Sequence, residues 1–263
     1  MRSMLGTVQK VGEVLELFTR ERPEWGVSEV AKALGIPKSS AHALLATLSH
    51  IGLLKRNREG RYRIGWRVLA LSQVLLSTSS WREEARRVMQ DLVARYGETT
   101  HLAVLECGRV IYVEKLEGTR AVKVATTGVG VELPAHCSGV GKVLLAFRPW
   151  EEVERIVEVR GLPPLTPNTI TTLDELRTEL QAVRERGYAY DIEEAVPELC
   201  CVAAPIRDHT GEVIAAMSLS VPFYRFQQMK EEYRRAVLEA TCTVSERLGY
   251  MEETVWKGSR WRS

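Results

Sequence analysis

The chain has 263 residues, 45% of them apolar and 27% charged, the make-up of a folded globular protein rather than a disordered, collagenous or membrane-embedded one. No run reaches the roughly 18 apolar residues of a membrane-spanning helix, and the first residues lack an apolar signal core, so a cytoplasmic protein with no membrane partner is expected. Cys107, Cys137, Cys200, Cys201 and Cys242 are odd in number and lack CxxC spacing, which speaks against a disulfide framework or a structural metal. Net charge is +2, yet residues 1–65 carry 11 Lys/Arg against 6 Asp/Glu, which is +5 there and −3 in the remainder. A positive field confined to the first quarter calls for an anionic partner.

Val8, Val11, Leu15 and Phe18 recur at helical spacing up to Pro23, predicting a first helix of about four turns. Ser28 opens a short second helix that ends at Gly35, a residue suited to the left-handed conformation at a helix C-terminus. Ile36-Pro37 starts a third, in which Ala41, Leu44, Leu45, Leu48 and Ile51 face inward and Lys38, Ser39, His42, Ala46 and Ser49 face out. Leu53–Arg56 and Arg61–Gly65 then flank Asn57-Arg58-Glu59-Gly60, the pattern of a hairpin and its turn. Two helices, a tight turn, a third helix and a basic hairpin make a winged helix-turn-helix over residues 1–65. In that arrangement Lys38, Ser39, Ser40 and His42 are placed to read bases in the major groove of double-stranded DNA. Lys55, Arg56, Arg58, Arg61 and Arg63 suit phosphate contacts, which set register and affinity. A basic hairpin alone would read equally well as a solvated surface; its union with three helices favours DNA.

From residue 66 to 79, Val68, Leu69, Leu71, Val74, Leu75 and Leu76 are too many for one stripe. A helix apolar nearly all round needs cover, and a second copy of the chain in a homo-oligomer is the expected one. Ser77–Ser80 reads as a linker. Residues 80–250 begin with a helix carrying Val88, Met89, Leu92 and Tyr96 on one face. Strand-like runs follow at His101–Glu106, Val110–Leu116 and Ala121–Ala125, then helical patterns at Gly139–Phe147, Trp150–Val159 and Leu173–Arg186. Strands near Cys201 and Ser218 and a helix from about Gln227 complete an α+β domain. The tail 251–263 is polar apart from Trp256 and Trp261.

Two segments of this domain carry chemistry. Pro134 to Ala146 is a small-residue loop entering an apolar helix, whose first N–H groups would attract a carboxylate or phosphate. It is no phosphate loop, because the glycine spacing is wrong and Val143 follows Lys142 where a hydroxyl is needed; close helix packing through Gly139 and Gly141 explains it as well. The other segment runs from Asp191 to Ser220. If Asp208–Gly211 is a four-residue loop, Arg207 opposes Glu212, Cys201 opposes Ser218 and Leu199 opposes Ser220, all on one face, with Val202 and Leu219 on the reverse. Two hydroxyls, a thiol and a leucine near an anion-attracting helix start suit a small carboxylate or keto acid; a tightly filled core is the plainer alternative. A cysteine hydrolase would use Cys201 or Cys137 as nucleophile, His136 as base and Asp191 to orient it, but no nucleophile-elbow motif is present. A metal or redox sensor would use His136, Cys137, Cys200 and Cys201, although adjacent strand cysteines point to opposite faces. No cofactor or metal is expected.

Gly35-Ile36-Pro37-Lys38-Ser39-Ser40 with Leu44 to Leu48, the His136-x-Ser138-Gly139-x-Gly141-Lys142 loop, and Arg186-Gly187-Tyr188 leading through Asp191 and Glu193-Glu194 to Cys201 together resemble the IclR (isocitrate lyase regulator) family of bacterial transcription regulators. The resemblance runs from about Val8 to Leu248. It implies an N-terminal winged helix-turn-helix, a linker helix used in dimerisation, a GAF-like effector domain and assembly as dimers or tetramers; repression is the action expected here, although activators share the architecture. It also implies an effector pocket lined by Gly139, Val140, Asp191, Leu199, Cys201, Ser218 and Ser220. Where the family often has Arg after the recognition-helix His, this chain has Ala43, and a pocket wall acidic or aromatic in some members is aliphatic here, as at Leu133.

Overall fold

The computed structural model describes residues 5–120 and 128–251, and the chain divides into two compact units between Ser79 and Ser80. The first contains α1 (Gly6–Glu16), α2 (Val27–Ala33), α3 (Lys38–His50), β1 (Leu54–Arg56), β2 (Tyr62–Ile64) and α4 (Arg67–Thr78). Its core gathers Val14, Trp25, Val30, Ala41, Leu45, Leu48, Leu54 and Tyr62. The expected inward stripe of α3 is therefore present, except that Leu44 is half-buried and Ile51, beyond the last helical residue, is 39% exposed. Trp25 ties helices to hairpin: it bridges to Tyr62 as an isolated antiparallel pair, and its Nε1 donates to the Leu17 carbonyl at 2.7 Å.

Local chemistry moves two boundaries. Helix α1 ends at Glu16, before Phe18, and α2 begins at Val27, before Ser28. The start of α2 is fixed by Glu29, whose carboxylate accepts from the Gly26 N–H at 2.7 Å, so the serine hydroxyl is not the cap. Gly35 takes φ +62°, as its place after α2 requires.

The second unit contains α5 (Ser80–Tyr96), β3 (Thr99–Glu106), β4 (Arg109–Leu116), β5 (Glu132–Pro134), α6 (Gly139–Ala146), α7 (Trp150–Arg160), α8 (Leu173–Arg186), β6 (Ala189–Ile192), β7 (Leu199–Arg207), β8 (Val213–Pro222) and α9 (Phe223–Arg247). The strands form one sheet in the order β5-β4-β3-β8-β7-β6, with every pair antiparallel. Helices α5 and α9 cover one face through Val88, Met89, Leu92, Tyr233 and Val237, which meet Val202, Met217 and Leu219. On the other face α6, α7 and α8 pack Val140, Val143, Leu144, Val153 and Leu176 against Ala103, Ala203 and Ala216. Covered on both sides, β7 and β8 read as nearly continuous apolar runs, and the α+β expectation holds.

Helix α4 continues through Thr78 and breaks only at Ser79 (φ −98°, ψ 65°), so the serine-rich linker shrinks to that residue. The run Ala121–Ala125 and the tail with Trp256 and Trp261 lie outside the described residues. Strands β5 and β6, of three and four residues, are too short to show a period in the sequence.

Candidate functional site

The candidate DNA-facing surface belongs to the first unit. Lys38, Ser39 and His42 are exposed on α3 and Ser40 is half-buried. Of the other outward positions, Ala46 and Ser49 prove half-buried, and Ala43, Thr47 and His50 are exposed instead. With Ala41, Leu45 and Leu48 buried, a residue two places further on sits about 200° round the helix and takes the outer side.

On the wing, Leu54 opposes Ile64, Lys55 opposes Arg63 and Arg56 opposes Tyr62. Lys55, Arg56, Arg58 and Arg63 are exposed. Arg61 departs from the expected phosphate role. Its guanidinium forms an ion pair with Glu29 at 2.9 Å and donates to the Glu24 carbonyl at 2.8 Å. The loop is one residue longer than expected, closed by Asn57 N–H to the Arg61 carbonyl at 2.8 Å. Asn57 Oδ1 accepts from the Arg61 and Glu59 amides at 2.9 and 3.1 Å, an Asx turn, and its amide donates to Glu24 at 3.1 Å. Glu24 and Asn57 are thus wing-holding residues that residue counting overlooked.

The second candidate site is the sheet face beneath α6. Cys201 pairs with Ser220, Ala203 with Ser218, and Leu199 with Pro222, two places from the register expected. The hairpin loop holds five residues, so that Arg207 opposes Val213, and a bulge follows between Ile206 and Arg207. Asp208 builds the longer loop, its Oδ1 accepting from the amides of Thr210 and Glu212 at 2.9 and 3.2 Å. Each departure adds one residue, and a slip of two restores the face. Leu199, Cys201, Ser218 and Ser220 therefore share one side, while Cys200, Val202 and Leu219 enter the α5/α9 core.

Asp191 sits opposite Cys201 on β6; its Oδ2 lies 3.7 Å from Cys201 Sγ and its Oδ1 accepts from the Glu194 amide at 2.7 Å. Burial, aided by the Glu194 charge, pushes its carboxyl up to about 7. From above, Ser138 caps α6 by accepting from Gly141 N–H at 3.2 Å, and Gly139 fits because a Cβ there would stand 2.9 Å from Cys201 Sγ and 3.3 Å from Ala203 Cβ. The Gly139 and Val140 N–H groups, first in α6, have no place in its hydrogen-bond ladder. Val140 turns its side chain into the α6/α7/α8 core, leaving its backbone as the part that can face a ligand. Leu199 is half-buried at the edge.

Three neighbours escaped sequence reasoning. His101 on β3 opposes Ser218, its Nδ1 stands 3.2 Å from Ser220 Oγ, and its ring lies 4.8 Å from that of Tyr112 on β4. Lys115 is directly across from His101 and is mostly buried beside its ion pair with Glu117 at 3.1 Å. Burial, with Lys115 nearby, pulls His101 down to about 3, so its ring is neutral. The alternation His101-x-Ala103 on one strand and Tyr112-x-x-Lys115 on the next gave no hint, because a bulge between Leu102 and Ala103 brings them together.

The loop after β6 is held by Lys142, which is 2% exposed and forms ion pairs with Glu194 and, at 3.4 Å, Glu179. Thr166 and Thr169 hydroxyls donate to the Glu193 and Glu194 carbonyls at 2.6 and 2.7 Å. The thiols are the reverse of activated: burial pushes Cys137 and Cys200 up to about 12 and Cys201 well above its ordinary value. His136 Nε2 is 3.2 Å from the Pro163 carbonyl and burial lowers its affinity for a proton. Among the described residues no group of three or more His, Cys, Asp or Glu could hold a metal ion, and no helix is long and apolar enough to cross a membrane.

Comparison with known proteins fits this geometry. Residues 7–58 match the IclR helix-turn-helix domain and residues 73–246 match the bacterial transcriptional regulator IclR C-terminal domain. The chain is 32% identical over 249 residues to the HTH-type transcriptional regulator XynR of Escherichia coli (strain K12), covering 94% of this chain and 98% of that one. It is 29% identical to the transcriptional repressor IclR of the same organism, covering 91% and 88%. An IclR homolog from Microbacterium hydrocarbonoxydans, solved in complex with 4-hydroxybenzoate, superposes with a TM-score of 0.76 at 30% identity over 92% of this chain and 98% of that one. With a winged helix-turn-helix at one end and an effector-type domain at the other, the chain belongs to the IclR family of bacterial transcription regulators.

Proposed function

We propose that the protein is a cytoplasmic repressor, without catalytic activity of its own, whose hold on its operator is altered by a small carboxylate or keto acid. The observation that carries this reading is the buried polar face beneath α6, where Ser218, Ser220, His101 and Asp191 converge under the start of a helix. Hydroxyl, imidazole and carboxyl groups gathered on one buried face offer a small acid both donors and acceptors. The ligand carboxylate is received by the first N–H groups of α6. Ser218 and Ser220 hydroxyls meet its remaining oxygens, and Asp191 donates a hydrogen bond when protonated. Leu199 borders the apolar part. The relative crystallised with 4-hydroxybenzoate supports an organic acid as the ligand class.

At the other end, Lys38, Ser39, Ser40 and His42 read bases, and Lys55, Arg56, Arg58 and Arg63 hold phosphates. Helix α4 has no buried residue, and Trp66, Val74 and Leu75 are 76%, 62% and 66% exposed; a second copy of the chain covers them in a homo-oligomer. The effector acts by binding one arrangement of that oligomer more tightly than another. Ser218→Ala with Ser220→Ala tests the pocket: the double variant should bind operator as the parent does and lose its response to the effector. An undiminished response would overturn the assignment.

A further inference from the structure

A cleft between the β3–β4 turn, β5 and the end of α7 lies apart from the polar face beneath α6. Its volume is about 190 Å³, whereas about 150 Å³ of apolar cavity is enough to take up benzene. Leu133, Ile156 and Leu162 supply apolar wall, and Arg109, Arg160 and His136 supply polar groups. The wall is firmly seated, since Gly108 approaches Ile156 so closely that a Cβ would stand 2.9 Å from its Cγ2.

The two arginines are unequally committed. Arg109 forms an ion pair with Glu132. Arg160 donates to the Cys107 carbonyl at 3.1 Å, but its Nε is buried without a hydrogen-bond partner among the described residues. A guanidinium held by one neutral acceptor, with an orphaned N–H, is under-compensated in a way that a carboxylate repairs with two parallel bonds. His136 adds no second charge, because burial keeps it neutral and its Nε2 serves the Pro163 carbonyl. The demand of the cleft is therefore for one negative charge on a flat apolar body.

We infer that this cleft is a second ligand site, for a monoanionic aryl carboxylate whose acid group lies on Arg160 and whose ring lies between Leu133, Ile156 and Leu162. A turn of the guanidinium about its last torsion presents Nε and one terminal nitrogen to the acid. Ser218, Ser220, Asp191 and Cys201 do not line it; Leu133, which the family resemblance puts on the effector-pocket wall, does, so the two sites share a wall residue and differ in the polar groups that hold the acid.

Calorimetric titration of the full-length protein with benzoate tests this, using the Ser218→Ala/Ser220→Ala double variant so that the effector face does not contribute. Benzoate should bind that variant at least tenfold more tightly than uncharged benzamide. Adding Arg160→Gln should weaken benzoate at least tenfold, Arg160→Lys should restore part of the loss, and Ile156→Trp, which fills the cleft, should abolish binding. Absence of benzoate binding to the double variant, or binding that Arg160→Gln and Ile156→Trp leave unchanged, would overturn the inference.

Discussion

Gly139→Ala probes the join between α6 and the sheet more sharply than any other single change. The new methyl would stand 2.9 Å from Cys201 Sγ and 3.3 Å from Ala203 Cβ, against about 3.5–4.0 Å for an unstrained contact. Ala203 Cβ is fixed by the strand, and the sulfur can yield only by giving up its 3.7 Å contact with Asp191. Overpacking of this kind costs about 1–3 kcal/mol, and at 2 kcal/mol the melting temperature of a domain this size falls by about 4–8 °C. Cys201→Ala removes the nearer obstacle while losing one buried atom, a cost of about 1 kcal/mol. The double variant should therefore be more stable than the sum of the single changes by about 0.5–2 kcal/mol, the coupling of groups in contact. Urea unfolding of the four proteins, followed by a probe of the second unit, measures it. Additive effects within about 0.5 kcal/mol would refute the claim that helix start and sheet face press directly on each other.

Replacing Arg58 with Ala should make the fall of DNA affinity with salt shallower by about one phosphate contact; Arg61→Ala should leave that slope unchanged and cost the first unit about 1 kcal/mol of stability. Asp191, raised from 3.8 to about 7, binds its proton more tightly folded than unfolded, so stability is lost as pH rises from about 4 to 7 and the loss is complete above. Asp191→Asn should remove the part of that component lost between about pH 5 and 8, at most about 3 kcal/mol, when urea midpoints at the two pH values are compared with the parent; an identical pH dependence would contradict it. Val74→Glu with Leu75→Glu should shift sedimentation toward the monomer and weaken operator binding, and an unchanged oligomer would remove α4 from the interface.

Much of this architecture was legible because its signals are local. The left-handed Gly35, the Ala41/Leu45/Leu48 stripe and the basic hairpin each depend on a few neighbouring residues. Which face Cys201, Ser218 and Ser220 occupy was legible for another reason: strand parity survives a slip of two, so the longer loop and the bulge at Ile206/Arg207 together changed partners and not faces. Long-range facts were not legible. Nothing near Arg61 in sequence says that Glu24 and Glu29, more than thirty positions earlier, claim its guanidinium. His101, Tyr112 and Lys115 join the candidate site only because β3 lies between β4 and β8, and sheet order is set by packing of the whole domain.

A titration of duplex DNA measures the central claim most directly. The duplex most enriched from a random pool and an unselected duplex are compared at several salt concentrations, with and without a panel of small organic acids. The selected duplex should bind more tightly, its affinity should fall steeply with salt, and at least one acid should change it tenfold or more in the parent but not in Ser218→Ala/Ser220→Ala. Equal binding of both duplexes at every salt concentration, unmoved by every acid, would contradict a DNA-binding regulator governed through the face beneath α6.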